Sequence, residues 1–111
     1  MNPYKKGGAI MINIEATIRR LNAQQRVVMK NHNSKEYELF VKEKVGILPD
    51  IFKLTKKLTR AKIKYDISGK NRIYFMLADK LSIMYPVDEI LMYISKEDLD
   101  KYLETADVEY I

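Results

Sequence analysis

The stretch PDIFKLTKKLTRAKIKYDISGKNRIYFML, residues 49–77, decides the fold of this 111-residue chain. Its first third reads as an amphipathic helix. Asp50 suits an N-cap, with Pro49 just ahead of it. Ile51, Leu54, Leu58 and Ala61 recur at helical spacing and make one apolar stripe. Lys53, Lys56, Lys57 and Arg60 follow at i, i+3, i+4 and i+7 on the far face, with no acid between them. A solvated helix face ordinarily interleaves Glu with Lys, because opposite charges at i, i+4 help and like charges there cost a few tenths of a kcal/mol. A solvated face is the ordinary reading of the four cations; the missing acids point partway toward a polyanion partner.

The rest of the stretch reads as a hairpin. Residues 63–67 alternate apolar and polar, as a half-buried strand does. Residues 68–71, Ser-Gly-Lys-Asn, are turn chemistry, with Gly69 and Asn71 able to take positive φ. Residues 72–77 return as a more buried strand. Downstream, residues 78–80 form a second turn and residues 81–85 a third strand, which Pro86 stops. A turn at Val87 and Asp88 then leads to a fourth strand over residues 89–94. Ser95 opens a last helix with acids in its first turn, and Leu99, Tyr102 and Leu103 pack it down. Residues 106–111 are an acidic end, either a short strand or loose.

Upstream the pattern is helical. Ile14, Ile18, Leu21, Val28 and Met29 make a helix stripe over residues 13–30. A strand-like alternation at Ile12, Ile14, Ala16 and Ile18 competes with it but dies at Arg19-Arg20. Residues 31–34 break the helix, and the lone His32 sits there as a turn residue. Ser34 caps a second helix with Tyr37, Phe40, Val41, Lys44 and Val45 on one side, the rival being a strand through Tyr37, Leu39 and Val41. Gly46 ends that element. The expected fold is one α+β domain over residues 11–111: N-terminal helices packed on a small antiparallel β-meander, with a C-terminal helix. Residues 1–10 are expected to be a flexible leader or tail. Lys6-Gly7-Gly8 can be encoded by a ribosome-binding sequence of Gram-positive type, spaced before Met11; either Met11 is the native start or the Lys-Gly-Gly run is chance. The Lys- and Ile-rich composition suits a low-GC bacterium, its phage or a mobile element.

Composition narrows the function. Apolar residues make up 47% of the chain, enough for a folded core. With no cysteine there is no disulfide, thiolate metal site or cysteine nucleophile. No apolar run is long enough to span a membrane and no signal-peptide pattern is present, so a cytoplasmic protein without a membrane partner is expected. The net charge of +5 hides an asymmetry: residues 1–62 carry 14 basic and 5 acidic side chains, residues 63–111 carry 6 and 10. One half suits a polyanion and the other repels it.

No catalytic pattern is complete. Pro49-Asp50 resembles the opening of a restriction-type nuclease site, but that site needs a second acid, one residue and a lysine on the next strand. Asp79-Lys80 lacks the intervening residue. A small ribonuclease toxin would carry Arg and Lys across its sheet, where these strands are mainly apolar with Tyr. No Gly-rich phosphate loop exists, and nothing calls for a cofactor or a metal. Tyr65, Tyr74, Tyr85 and Tyr93 fall one on each expected strand. They are either half-core residues or a sheet face that stacks bases or anchors a protein.

The expectation is a small non-enzymatic accessory or regulatory protein that binds nucleic acid or a nucleoprotein complex. Lys53, Lys56, Lys57 and Arg60 would make its basic face, extended by Lys70 and Arg72 at the hairpin turn. The alternative is a stoichiometric inhibitor or adaptor of a host protein, such as a phage anti-host or anti-defence product, using Tyr65, Tyr74, Tyr85 and Tyr93.

Overall fold

A computed structural model describes residues 7–30, 34–78 and 80–111. Residues 1–6 of the expected leader, His32 and Asp79 lie outside the described residues. The element order is α1 (Gly7–Val28), α2 (Lys35–Gly46), α3 (Leu48–Lys57), β1 (Lys62–Asp66), β2 (Arg72–Ala78), β3 (Leu81–Pro86), α4 (Val87–Leu91), α5 (Lys96–Glu104) and β4 (Val108–Tyr110). The class is α+β, as expected. The sheet runs β3-β2-β1-β4, with β1–β2 and β2–β3 antiparallel and β4 parallel to β1.

Period decides the first two helices. In α1, Ile14, Ile18, Leu21 and Val28 are buried, while Ala16, which a strand would bury beside them, is exposed. Met29 lies past the end of α1 and is exposed, so it leaves the expected stripe. In α2, Ser34 caps the first turn by accepting from the Tyr37 amide at 3.1 Å. Phe40, Val41, Lys44 and Val45 face inward, and the rival strand is excluded because Leu39 is exposed.

Boundaries differ from expectation at α1, which starts at Gly7 within the expected leader rather than at residue 13, and at both ends of α3. α3 starts at Leu48, with Ile47 at its cap and Pro49 in its first turn, where a missing N–H costs nothing. Asp50 is therefore inside the helix rather than its cap. The helix stops at Lys57: Leu58 turns extended, and the turn through residues 58–61 redirects the chain into β1. Leu58 and Ala61 are half-buried; Phe52, outside the predicted stripe, is buried with Ile51 and Leu54. The expected fourth strand at residues 89–94 is also replaced. Pro86 caps the short helix α4, Asp88 and Glu89 sit in its first turn, and Val87 and Ile90 bury one side. The fourth strand is instead the acidic tail, which crosses over through α5 and pairs in parallel with β1.

All the buried sheet residues point to one side. Ile63, Ile73, Phe75, Leu77, Leu81, Ile83 and Tyr85 join the inward faces of α1 to α5 in one core. Aromatic rings cross that core. Phe75 meets Phe52 edge-on at 5.1 Å and Tyr85 edge-on at 5.7 Å, and Phe52 stacks on Tyr102 of α5 at 4.8 Å. Tyr85, fully buried, donates its hydroxyl to the Lys44 carbonyl at 2.6 Å. That carbonyl lies in the last turn of α2, where helix carbonyls lack an internal partner.

Lys44 is the one buried charged side chain among the described residues. Its Nζ lies 4.9 Å from the Tyr85 ring centroid and 5.6 Å from that of Phe40. Burial lowers the amine's pKa to about 8, against the attraction of Glu89. Glu89 in turn accepts a hydrogen bond from the Tyr37 hydroxyl.

Two outcomes are expected. Tyr85→Phe leaves the Lys44 carbonyl buried without its donor and should cost about 1–3 kcal/mol in urea denaturation. A loss under half of that would mean the carbonyl finds another partner. The second concerns pH. The unfolded chain keeps its Lys44 proton up to about 10.5 and the folded chain releases it near 8. Between those values the unfolded state binds more protons, so raising the pH stabilises the fold. Stability of the wild type should rise by roughly 1–2 kcal/mol from pH 7.5 to 9.5, and Lys44→Met should abolish the rise. Above pH 10 the slope reverses, because burial raises the Tyr37 pKa to about 12 and that of Tyr85 further still. A flat wild-type profile over the lower interval would show that Lys44 reaches water.

Candidate functional site

The cations gather at one end of the sheet. α3 turns Ile51, Phe52 and Leu54 into the core, which leaves Lys53, Lys56 and Lys57 exposed on its outer side. Lys56 and Lys57 occupy the last turn, where the helix dipole favours positive charge. Asp50 stands three residues before Lys53 and seven before Lys57, so an acid heads this face. Arg60 is exposed but lies in the turn after α3, not on the helix. The expected four-cation helix face is thus a three-lysine face with an arginine beyond its end.

Strand pairing adds cations that spacing along the chain does not reveal. Lys62 opens β1 opposite Met76, and Ala78 pairs with Leu81 across the β2–β3 turn that carries Lys80. Lys62 and Lys80 therefore share one sheet end with Lys56, Lys57 and Arg60. Among the described residues no carboxylate pairs with Lys56, Lys57, Arg60 or Lys80; Lys62 makes an exposed pair with Glu109 at 3.5 Å. Such a pair contributes little.

Lys70 and Arg72 fall at the other end. Arg72 pairs across the sheet with Asp66, four residues along β1 from Lys62, or roughly 13 Å at strand rise. Its guanidinium lies 3.7 Å from the Asp66 carboxylate, and its Nε is buried without a partner among the described residues. The Asp66 carboxyl titrates below its ordinary range, chiefly because it accepts the Ser68 amide at 2.8 Å, with Arg72 adding to the effect. Asn71, at φ +32°, closes this turn. The six residues expected to form one patch are divided four and two by the length of β1.

Two clefts border the basic end. The larger, about 540 Å³, runs from Leu58, Thr59 and Arg60 to Met76, Leu77 and Ala78. The smaller, about 250 Å³, includes Thr55, Lys56, Thr59, Lys62, Thr105 and Asp107 in its wall. Among the described residues no group of three His, Cys, Asp or Glu side chains is arranged to hold a metal ion, and no helix is long and apolar enough to cross a membrane.

The four tyrosines do not share a surface. Tyr65 points inward and is half-buried, 5.6 Å from Tyr110. Tyr85 is buried in the core. Tyr93 lies in the turn after α4, off the sheet and exposed. Tyr74 alone faces outward from the sheet, in register with Lys64 and Met84. Sequence reasoning passed over Lys62, Lys64 and Lys80 because each stands singly in a strand or turn; only the strand order collects them. Comparison with protein-family models, with curated proteins and with solved structures finds no match to this chain.

Proposed function

We propose that this protein is a non-enzymatic nucleic-acid-binding accessory or regulatory protein whose phosphate-contacting surface is the basic sheet end. The observation that carries the reading is the gathering of Lys56, Lys57, Arg60, Lys62 and Lys80 at that end, four of them with no carboxylate partner among the described residues. The helix dipole accounts for Lys56 and Lys57. It does not account for Arg60, Lys62 and Lys80, which three further segments bring to the same place. Like charges so arranged repel one another, and a phosphate backbone is the partner that relieves them while releasing its own counterions.

A second reading rests on a separate observation. Leu91, Met92 and Tyr93 are three consecutive apolar side chains exposed between α4 and α5. They suit a protein partner, as an inhibitor or adaptor of a host protein would need.

The test is binding as a function of salt. Wild-type protein should retard labelled DNA or RNA at tens of micromolar and low salt, with affinity falling steeply as salt rises. Changing Lys56 and Arg60 together to Gln should lower the log–log salt slope by about 1.4–1.8, since each lost phosphate contact removes roughly 0.7–0.9. The loss should be equal for all sequences, because phosphate contacts carry no base information. Absence of retardation in the wild type would discard the nucleic-acid reading and leave the exposed Leu91, Met92 and Tyr93 as the surface to pursue.

A further inference from the structure

We propose that the outer face of the sheet, which none of the described helices covers, seats a single strand of nucleic acid, with Tyr74 as the side chain on which one base stacks. The inference rests on the nucleic-acid reading above and names the form of nucleic acid that it takes. The face follows from the strand register. Lys62, Lys64 and Asp66 of β1, Arg72, Tyr74, Met76 and Ala78 of β2, and Ser82, Met84 and Pro86 of β3 point away from the core, and none of them is buried. The helices α1 to α5 contribute their buried residues to the opposite side.

Tyr74 sits at the middle of β2, a central strand. Its row reads Glu109, Lys64, Tyr74 and Met84 across the four strands. A cross-strand neighbour stands about 5 Å away, so a phosphate of the stacked nucleotide is within reach of Lys64. Arg72, two residues before Tyr74 on the same face, is half-buried, with its guanidinium 3.7 Å from the Asp66 carboxylate. Met76, two residues after Tyr74, belongs both to this face and to the 540 Å³ cleft that Arg60 borders. The face and the basic end are therefore one continuous surface. Of the face's three cations, Lys62 pairs with Glu109 and Arg72 with Asp66, which leaves Lys64, beside Tyr74, without a carboxylate partner among the described residues and free for a phosphate.

Width argues against a duplex on this face. The major groove is about 12 Å wide and admits a helix or a two-stranded ribbon. Four strands spaced about 4.8 Å apart already span about 14 Å between outer backbones. A half-buried tyrosine in the middle of such a face meets a base only when that base is unstacked, as in a single strand.

Fluorescence anisotropy with a labelled 12-nucleotide oligo(dT), oligo(U) and a 12-base-pair duplex tests the proposal on the full chain. Tyr74→Ala should weaken binding of the single strands about tenfold, the ordinary range for one lost stacking contact, and change duplex binding less than twofold. The salt slope should not move, because no phosphate contact is lost. Tyr74→Phe keeps the ring and should bind as the wild type does. Equal weakening of single strand and duplex, no weakening by Tyr74→Ala, or a Tyr74→Phe variant as weak as the alanine would each overturn the inference. Should Tyr74→Ala fail to fold, photocrosslinking of wild-type protein to a 5-bromouracil oligomer decides: an adduct on Tyr74 supports the proposal, and adducts only elsewhere overturn it. Binding that depends on Lys56 and Arg60 but not on Tyr74 removes this inference and leaves the basic-end reading intact. Binding of none of the three probes removes both.

Discussion

Phase between strand and helix is set in this protein by the contact of Phe75 with Phe52 and Tyr85. Phe75 stands on β2, the strand that pairs on both sides with neighbours of opposite direction. Its ring meets α3 through Phe52 and β3 through Tyr85, each edge to face. Each such pair adds roughly 0.5–1.5 kcal/mol beyond the area it buries. The chain of contacts continues at both ends. Phe52 stacks on Tyr102 and so ties α5 down, and Tyr85 holds the last turn of α2 through the Lys44 carbonyl. A shift of β2 by one residue would turn Phe75 outward and break every link.

That arrangement commits all the helices to one side of the sheet, which has two consequences. The first is Lys44. A residue at the inward position of α2 must lie over Tyr85 and Phe40, and a lysine there keeps its charge only with the faces of two rings and a more distant carboxylate as surroundings. The second is the outer face, which none of the described helices covers. Its residues are polar, charged or flexible and apolar in mixture, and Tyr74 is its one aromatic among the described residues.

Much of this was legible in the sequence because it rests on period. The α1 stripe short of Met29, the α2 stripe, the Ser34 and Ser95 caps, the hairpin turn at residues 68–71 and the alternation of β1 to β3 are local patterns, and the structure keeps them. The boundaries of α3 were misread for a physical reason. Asp50 suits a cap, but Pro49 suits a first helical turn equally well, and burial of Leu48 favours the earlier start. At the other end, the apolar spacing of Leu58 and Ala61 continues past Lys57 without the backbone following it. Residues 89–94 read as a strand because five of six are apolar or aromatic. Pro86 and two acids at the head of the segment favour a helix turn, and the run's hydrophobicity is spent partly at the surface, on Leu91, Met92 and Tyr93. The candidate site was half legible. Lys53, Lys56, Lys57 and Arg60 are neighbours along the chain, whereas Lys62, Lys64 and Lys80 join them only through strand pairing.

The parallel pairing of β4 with β1 gives the charge asymmetry a direction. Along the chain, the acidic half simply follows the basic half. In space, β4 lays Glu109 against Lys62 and brings Asp107 into the same small cleft as Lys56. The tail thus neutralises the basic end on its β4 flank and leaves Arg60 and Lys80, at the β1 and β2 termini, without an acid partner among the described residues. Attraction between charges at a surface falls off within about 8–10 Å at physiological salt, so a polyanion feels the nearest cations and not the net +5. Its approach is then favoured from the side of Arg60, Lys80 and Met76 and opposed from the side of Glu109 and Asp107. The favoured side carries the cleft that Arg60 and Met76 line, so under the proposed reading the tail that completes the sheet would also orient a bound polyanion.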